Sequence, residues 1–194
     1  MGVRAVFFDV GETLFDETRM WSEIADAAGV PRFTFLGVLG GLVARGEPHS
    51  RVFDLLGVRR LEGAGFSEED LYPDVPGCLA ALRDRGYLLG AVGNTGVGVE
   101  PLLAELVDVV GSSARWGVEK PSAPFFDRIV AEAGCTAGEI AYVGDRVDND
   151  VEPALATGMI AVHVRRGPWG HLHEPPESAI RVTSLAELPA ALGR

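Results

Sequence analysis

Lysine is almost missing from this chain: of 194 residues, only position 120 carries one. Arginine supplies nearly all the remaining positive charge, and acids outnumber bases until the formal net charge is −11. A surface of that sign excludes nucleic-acid or anionic-lipid binding through a general basic face. Cysteine is scarce as well. Cys78 and Cys135 give no disulfide framework and read as small apolar packing groups in a reducing compartment. No apolar run approaches the roughly 20 residues of a membrane span. No basic stretch followed by an apolar one opens the chain, so no export signal is visible and a cytoplasmic location is expected.

What is present is a globular composition, 47% hydrophobic, in a chain long enough for one core and a small second module. Val3–Phe8 reads as a strand buried on both faces, and it ends in Asp9, Val10, Gly11, Glu12 and Thr13. Residues 16–74 differ. Their apolar residues fall at helical spacing, as in Trp21, Ile24, Ala25 and Ala28, and glycine-proline breaks divide them into three or four short helices. This region is expected to be a helical insert that leans on the rest, with the core formed by 1–15 and 75–194.

From Pro76 onward helices and strands alternate. Strands are expected at Tyr87–Val92, Val107–Gly111, Ile140–Val143 and Ile160–Val164, with helices between them and a last helix near Leu185–Leu192. The alternation predicts an α/β fold: a Rossmann-like parallel sheet of about five strands with helices on both faces. Asp9, Gly93-Asn94-Thr95, Lys120 and the Asp145–Asp150 stretch all fall at strand ends. Such ends converge at one edge of a parallel sheet, where ligands bind. Asp9, Asp145 and Asp150 packed together would repel and raise one another's pKa. A hard divalent ion relieves that repulsion, and Mg2+ prefers a few carboxylates, water and substrate phosphate. Lys120 adds a positive point charge. Asn94, Thr95 and the amides near Gly93 offer donors to phosphate oxygens.

Four stretches in order resemble the haloacid dehalogenase-like (HAD) hydrolase superfamily: Phe8 to Leu14, Ala91 to Gly96, Gly117 to Phe126 and Val143 to Val151. The resemblance implies a central first strand, a sheet order like 5-4-1-2-3, and a helical cap at 16–74. It implies that Asp9 is a nucleophile and Mg2+ ligand, passing through an aspartyl-phosphate, and that Asp145, Asp150 and the Gly11 carbonyl also ligate the ion. Lys120 would neutralise the nucleophile and the transferring group. The substrate expected is a small phosphorylated metabolite.

Two positions depart from the family pattern. Its phosphatases carry a second Asp two residues after the nucleophile, to protonate the leaving oxygen and then activate water; here that position is Gly11. Glu12 is adjacent and is a candidate replacement, although neighbouring side chains on an extended segment point to opposite faces. Without any replacement, turnover should favour acyl or aryl phosphates and leave a slowly hydrolysed phospho-Asp9. Gly93 stands where the family usually has Ser or Thr, so Thr95 or backbone amides would take over that contact. The alternatives are a catalytically weak or inactive binding protein and a 2-haloacid dehalogenase, which needs no second Asp. A phosphonoacetaldehyde hydrolase would need a lysine in the insert, and there is none.

Other candidates read as structural. His163 is expected to be a satisfied core histidine and Trp116 a core residue, while His171 and His173 are expected in a solvated, turn-rich tail. Asp16, Glu17 and Arg19 lie at the entry to the insert, where they either face substrate or, as expected, form a hinge or solvated helix start. Arg165-Arg166-Gly167-Pro168-Trp169-Gly170 could hold a substrate anion or dock another subunit, but the expectation is that Trp169 covers the core and the arginines are solvated.

Overall fold

A computed structural model describes residues 2–61, 63 and 65–193. Six parallel strands form one sheet: β1 (Ala5–Phe8), β2 (Leu88–Gly93), β3 (Val109–Ser112), β4 (Ile140–Gly144), β5 (Ile160–Val164) and β6 (Ile180–Val182), in the spatial order β3-β2-β1-β4-β5-β6. The expected order is present, with one strand more than expected. β6 is three residues long at the sheet edge, too short to give a periodic signal.

The first strand shows why the fold forms. Its residues alternate between the two faces. Val6 and Phe8 enter one apolar layer with Val75, Leu79 and Leu82 of α4 (Val75–Asp84), whereas Ala5 and Phe7 enter the other with Phe125, Phe126 and Ile129 of α7 (Ala123–Ala133). All four β1 side chains are fully buried. Phe8 pairs with Ala91 on one side and Val143 on the other, and the Asp9 amide donates to the Val143 carbonyl at 2.8 Å. Asp9 is thereby fixed at the carboxyl edge, between the ends of β2 and β4.

After β1 the chain makes a tight turn, with the Leu14 and Phe15 amides both donating to the Val10 carbonyl, at 2.9 and 3.0 Å. It leaves the core at Phe15–Asp16 and returns at Asp70–Tyr72. The two passages are stitched by Asp16 N–H to the Asp70 carbonyl (2.8 Å) and Tyr72 N–H to the Leu14 carbonyl (3.0 Å). Between them α1 (Thr18–Ala27), α2 (Arg32–Ala44) and α3 (Arg51–Leu56) pack around Ile24, Phe35, Leu39, Leu42, Val52 and Phe53. A short 3-10 turn at Glu68–Asp70, capped by Ser67, ends the excursion. No single helix among the described residues is long and apolar enough to cross a membrane.

The segment after β5 differs from the open tail expected there. Gly167–Leu172 is helical (α9) and packs against the insert: Trp169 stands edge-on to His49, and a ring nitrogen of His173 meets the Val43 carbonyl at 2.8 Å. Arg166 is buried, not solvated. It donates to the Thr13 carbonyl at 2.7 Å, pairs with Asp74 and stacks 4.2 Å from the Tyr72 ring centre. Its partners are 92 or more residues away in sequence, so nothing local announced them. His163 is the satisfied core histidine expected, its ring 3.0 Å from the Asp145 carbonyl. Both cysteines are free.

One ion pair closes the base of the insert. Arg19 of α1 grips Asp70 with two bonds, Nε to Oδ1 at 2.8 Å and Nη2 to Oδ2 at 2.6 Å. That guanidinium, helped by the Ser67 amide, holds the Asp70 carboxyl down at about 2, against an ordinary 3.8. A folded-state pKa below the unfolded one gives stability that is complete above about pH 4 and is lost as pH falls through 2. Asp70→Asn should cost about 1 kcal/mol at pH 7, because Arg19 is one-third exposed and partly screened. It should also remove that share of the acid-induced loss. Urea unfolding at pH 7 and pH 3 checks both.

Candidate active site

Asp9, Asp145 and Asp150 are brought together at the carboxyl edge of the sheet. One oxygen of each lies within 4.8 Å of the others, and all three residues are buried. Asp9 and Asp145 immediately follow β1 and β4. Asp150 comes from the next turn, a π-helical one at Val147–Val151 leading into α8 (Glu152–Thr157). That turn folds back until the Asp150 carboxylate receives the Arg146 amide at 3.1 Å.

Lys120 completes the cluster. Its ammonium lies 2.6 Å from Asp9 Oδ1 and 2.5 Å from Asp150 Oδ1. Asn94 fixes the lysine backbone with two reciprocal bonds: its Nδ2 donates to the Lys120 carbonyl (2.9 Å) and its Oδ1 accepts from the Lys120 amide (2.7 Å). Burial alone would pull the ammonium's pKa down. The Asp150 and Asp9 charges outweigh it and hold the group well above its usual range.

One ammonium cannot balance three carboxylates. Burial, and next the Asp150 and Asp9 charges, push Asp145 well above the carboxylate range, and burial followed by Asp9 pushes Asp150 to about 6. Asp145 Oδ2 is buried and has no hydrogen-bond partner. An unpartnered oxygen in an all-oxygen set with surplus negative charge fits a hard divalent cation. Gly11 lines the same cavity.

The stretch expected to hold phosphate lies beside the acids. Gly93 ends β2 so close to Asp9 that a Cβ there would stand 2.9 Å from Asp9 Oδ1. Thr95 lines the cavity with a buried hydroxyl that has no partner. Asn94 lines it too, but its side chain is engaged with the Lys120 backbone.

Glu12 adopts a left-handed backbone conformation, φ +51°, and its carboxylate is buried. It accepts from the Tyr72 hydroxyl at 2.6 Å and the Glu17 amide at 3.1 Å, and burial raises its pKa. The geometry makes it a brace between the turn and the returning chain. Glu17, expected to be hinge or solvated, is half-buried and lines the cavity. Its Oε2 accepts the Trp21 indole N–H at 2.8 Å. Burial, and then the Glu12 charge, push its carboxyl up to about 7. The one sequence signal for this placement was the Glu17–Trp21 spacing of four, from the residue before α1 into its first turn.

The cavity above these groups measures about 680 Å³. The insert contributes an apolar wall that includes Trp21, Ile24 and Phe53, and α9 contributes Trp169, on which Arg146 stacks at 5.1 Å.

Comparison with known proteins agrees with this architecture. Residues 118–188 match the family model described as HAD-hydrolase-like. The chain is 30% identical over 203 residues to glyceraldehyde 3-phosphate phosphatase of Methanopyrus kandleri, covering 86% of each. It is 33% identical over 144 residues to phosphoserine phosphatase of Thermus thermophilus, covering 67% of this chain and 55% of that one. The structure of a HAD phosphatase from Thermococcus onnurineus superposes with a TM-score of 0.65 at 25% identity, covering 98% of both chains. The fold and these relatives define a hydrolase. The chain belongs to the haloacid dehalogenase-like hydrolase superfamily, and its curated relatives are phosphatases.

Lys120→Met leaves three buried carboxylates without their counter-charge. In metal-free buffer at pH 8 it should cost about 3–5 kcal/mol of unfolding free energy. The loss should shrink as pH falls and the acids take up protons. Denaturant melts at pH 8 and pH 5.5 measure it; equal losses at both would show that the ammonium does not offset the acids.

Proposed function

We propose that the protein is a Mg2+-dependent phosphatase acting on a small phosphorylated metabolite through an aspartyl-phosphate at Asp9. The observation that carries this is the convergence of three buried acids on one ammonium, with an Asp145 oxygen left unpartnered. Asp9, Asp145, Asp150 and the Gly11 carbonyl would hold the ion, which supplies neutralisation of phosphoryl oxygens when bound.

The chain's own groups do the rest. A carboxylate oxygen of Asp9 attacks phosphorus in line with the leaving oxygen. Lys120 pairs with Asp9 at 2.6 Å and offsets charge on the transferring group. The Thr95 hydroxyl and nearby amides offer donors to the phosphoryl oxygens. Asn94 holds Lys120 in place. Residues 16–74 act as a cap that covers the cavity, and the Trp21–Phe53 wall faces the organic part of the substrate. Glyceraldehyde 3-phosphate and phosphoserine are the first substrates to try, since the relatives carry those names.

Phosphate release from a panel containing both should require Mg2+ and fall at least a thousandfold in Asp9→Asn. A binding protein would take up Mg2+ and phosphate without release, and a dehalogenase would release chloride from 2-chloropropionate without metal. Mg2+ at a hundred times its Kd should stabilise the fold by about 2.7 kcal/mol. Asp145→Asn should abolish that gain while leaving the metal-free protein no less stable, as a melting-temperature titration will show.

A further inference from the structure

The phosphatase proposal leaves one role unfilled. Transfer to Asp9 expels an oxygen that needs a proton, and release from Asp9 needs a water that loses one. Gly11 can do neither. Glu12 is braced: its oxygens accept from the Tyr72 hydroxyl and the Glu17 amide, and its side chain lies against Gly167, where a Cβ would stand 2.6 Å away.

The space beside Gly11 is filled from elsewhere in the chain. A Cβ built on Gly11 would lie 2.1 Å from Glu17 Oε1, 3.0 Å from its Cδ and 3.4 Å from its Cγ. The carboxyl group of Glu17 therefore stands where a side chain of residue 11 would begin. Its Oε2 is anchored by the Trp21 indole, and its backbone amide is tied to Glu12, so the braced turn and the start of α1 both hold it there. Among the described residues no protein donor reaches Oε1, and Glu17 and Asp9 line one cavity. We infer that Glu17 is the general acid and base of this enzyme, delivered from the first turn of the insert into the room that a glycine at 11 leaves.

This inference rests on the phosphatase proposal, and its steps balance. Asp9 forms a bond to phosphorus as the bond to the leaving oxygen breaks, and the protonated Glu17 gives its proton to that oxygen, releasing the alcohol. Glu17, now a carboxylate, takes a proton from water as the water oxygen bonds to phosphorus. The bond from phosphorus to Asp9 breaks, inorganic phosphate leaves, and both acids return to their starting states. No outside reactant besides substrate and water is consumed.

Alkyl phosphates, whose alkoxides need a proton, should therefore be turned over by the wild type. Glu17→Gln keeps the shape and the indole contact but cannot cycle a proton. It should lower kcat on phosphoserine or glyceraldehyde 3-phosphate by roughly 10²–10⁴. With p-nitrophenyl phosphate, whose phenolate leaves unaided, the first step should fall less than tenfold and the second should become rate-limiting. A burst of p-nitrophenolate equal to the enzyme concentration should appear, and acid-quenched protein should carry phosphate on Asp9 by mass spectrometry.

The geometry adds a rescue. Gly11→Asp alone should clash with Glu17 and impair the enzyme, while Gly11→Asp combined with Glu17→Ala should recover at least tenfold over Glu17→Ala. Melting temperatures confirm that the variants fold. If the wild type is Asp9-dependent and Glu17→Gln stays within threefold of it on the alkyl esters, the inference falls and the phosphatase proposal stands. Equal loss of both steps on both substrate types would mean a structural role and would also overturn it. A wild type with no Asp9-dependent turnover overturns the phosphatase proposal and this inference with it.

Discussion

Three carboxylates buried around a single ammonium are the constraint that the rest of the molecule answers to. Burying charge costs several kcal/mol per ion unless it is paired, and here the pairing is incomplete by design of the sequence: one lysine serves Asp9 and Asp150, and Asp145 is left with an unpartnered oxygen. Such a cluster persists only on a scaffold stable enough to hold it. The scaffold is the sheet centre. β1 is fully buried between β2 and β4, with a separate apolar layer on each face. The most strained electrostatics thus sit on the element with the most packing beneath it.

The same economy governs how the insert meets the core. Its own apolar cluster is small; Arg19 and Asp16 tie its two ends together through Asp70, Tyr72 reaches Glu12 at the turn, Phe66 stacks on Phe15, and Trp169 of α9 packs on His49. Directional bonds at its base fix the angle of approach and leave the cavity between insert and sheet edge open. Glu17 stands one residue before α1, so any shift of the insert moves its carboxylate relative to Asp9.

Much of this was readable from the sequence because the signals were local or singular. The strand ending in Asp9, the helix–strand alternation after Pro76 and the lone lysine each stand out within a few residues. What escaped was long-range. Arg166 looked like a solvated tail residue, yet its partners Thr13 and Asp74 arrive from across the fold. β6 exists because β5 offers an edge for three residues to pair with. Glu17 was placed at the entry to the insert but given no chemical role, because the room it fills is a side chain that Gly11 lacks, and such an absence has no periodicity to read.

Four of the acids crowded into the site each lie against a glycine. A Cβ at Gly93 would come 2.9 Å from Asp9 Oδ1, one at Gly144 2.5 Å from Asp150, one at Gly11 2.1 Å from Glu17, and one at Gly167 2.6 Å from Glu12. These glycines serve different strands and turns, and only Gly167 needs its positive φ. What they share is the volume they surrender. Carboxylates that repel one another can be packed this densely only if the backbone comes close enough to fix them and no side chain competes for the space. Read so, Gly11 and Gly93 cease to be defects in a family pattern. They leave the room that the Glu17 and Asp9 carboxylates occupy, and a side chain gained at either would require the acid lying against it to shift.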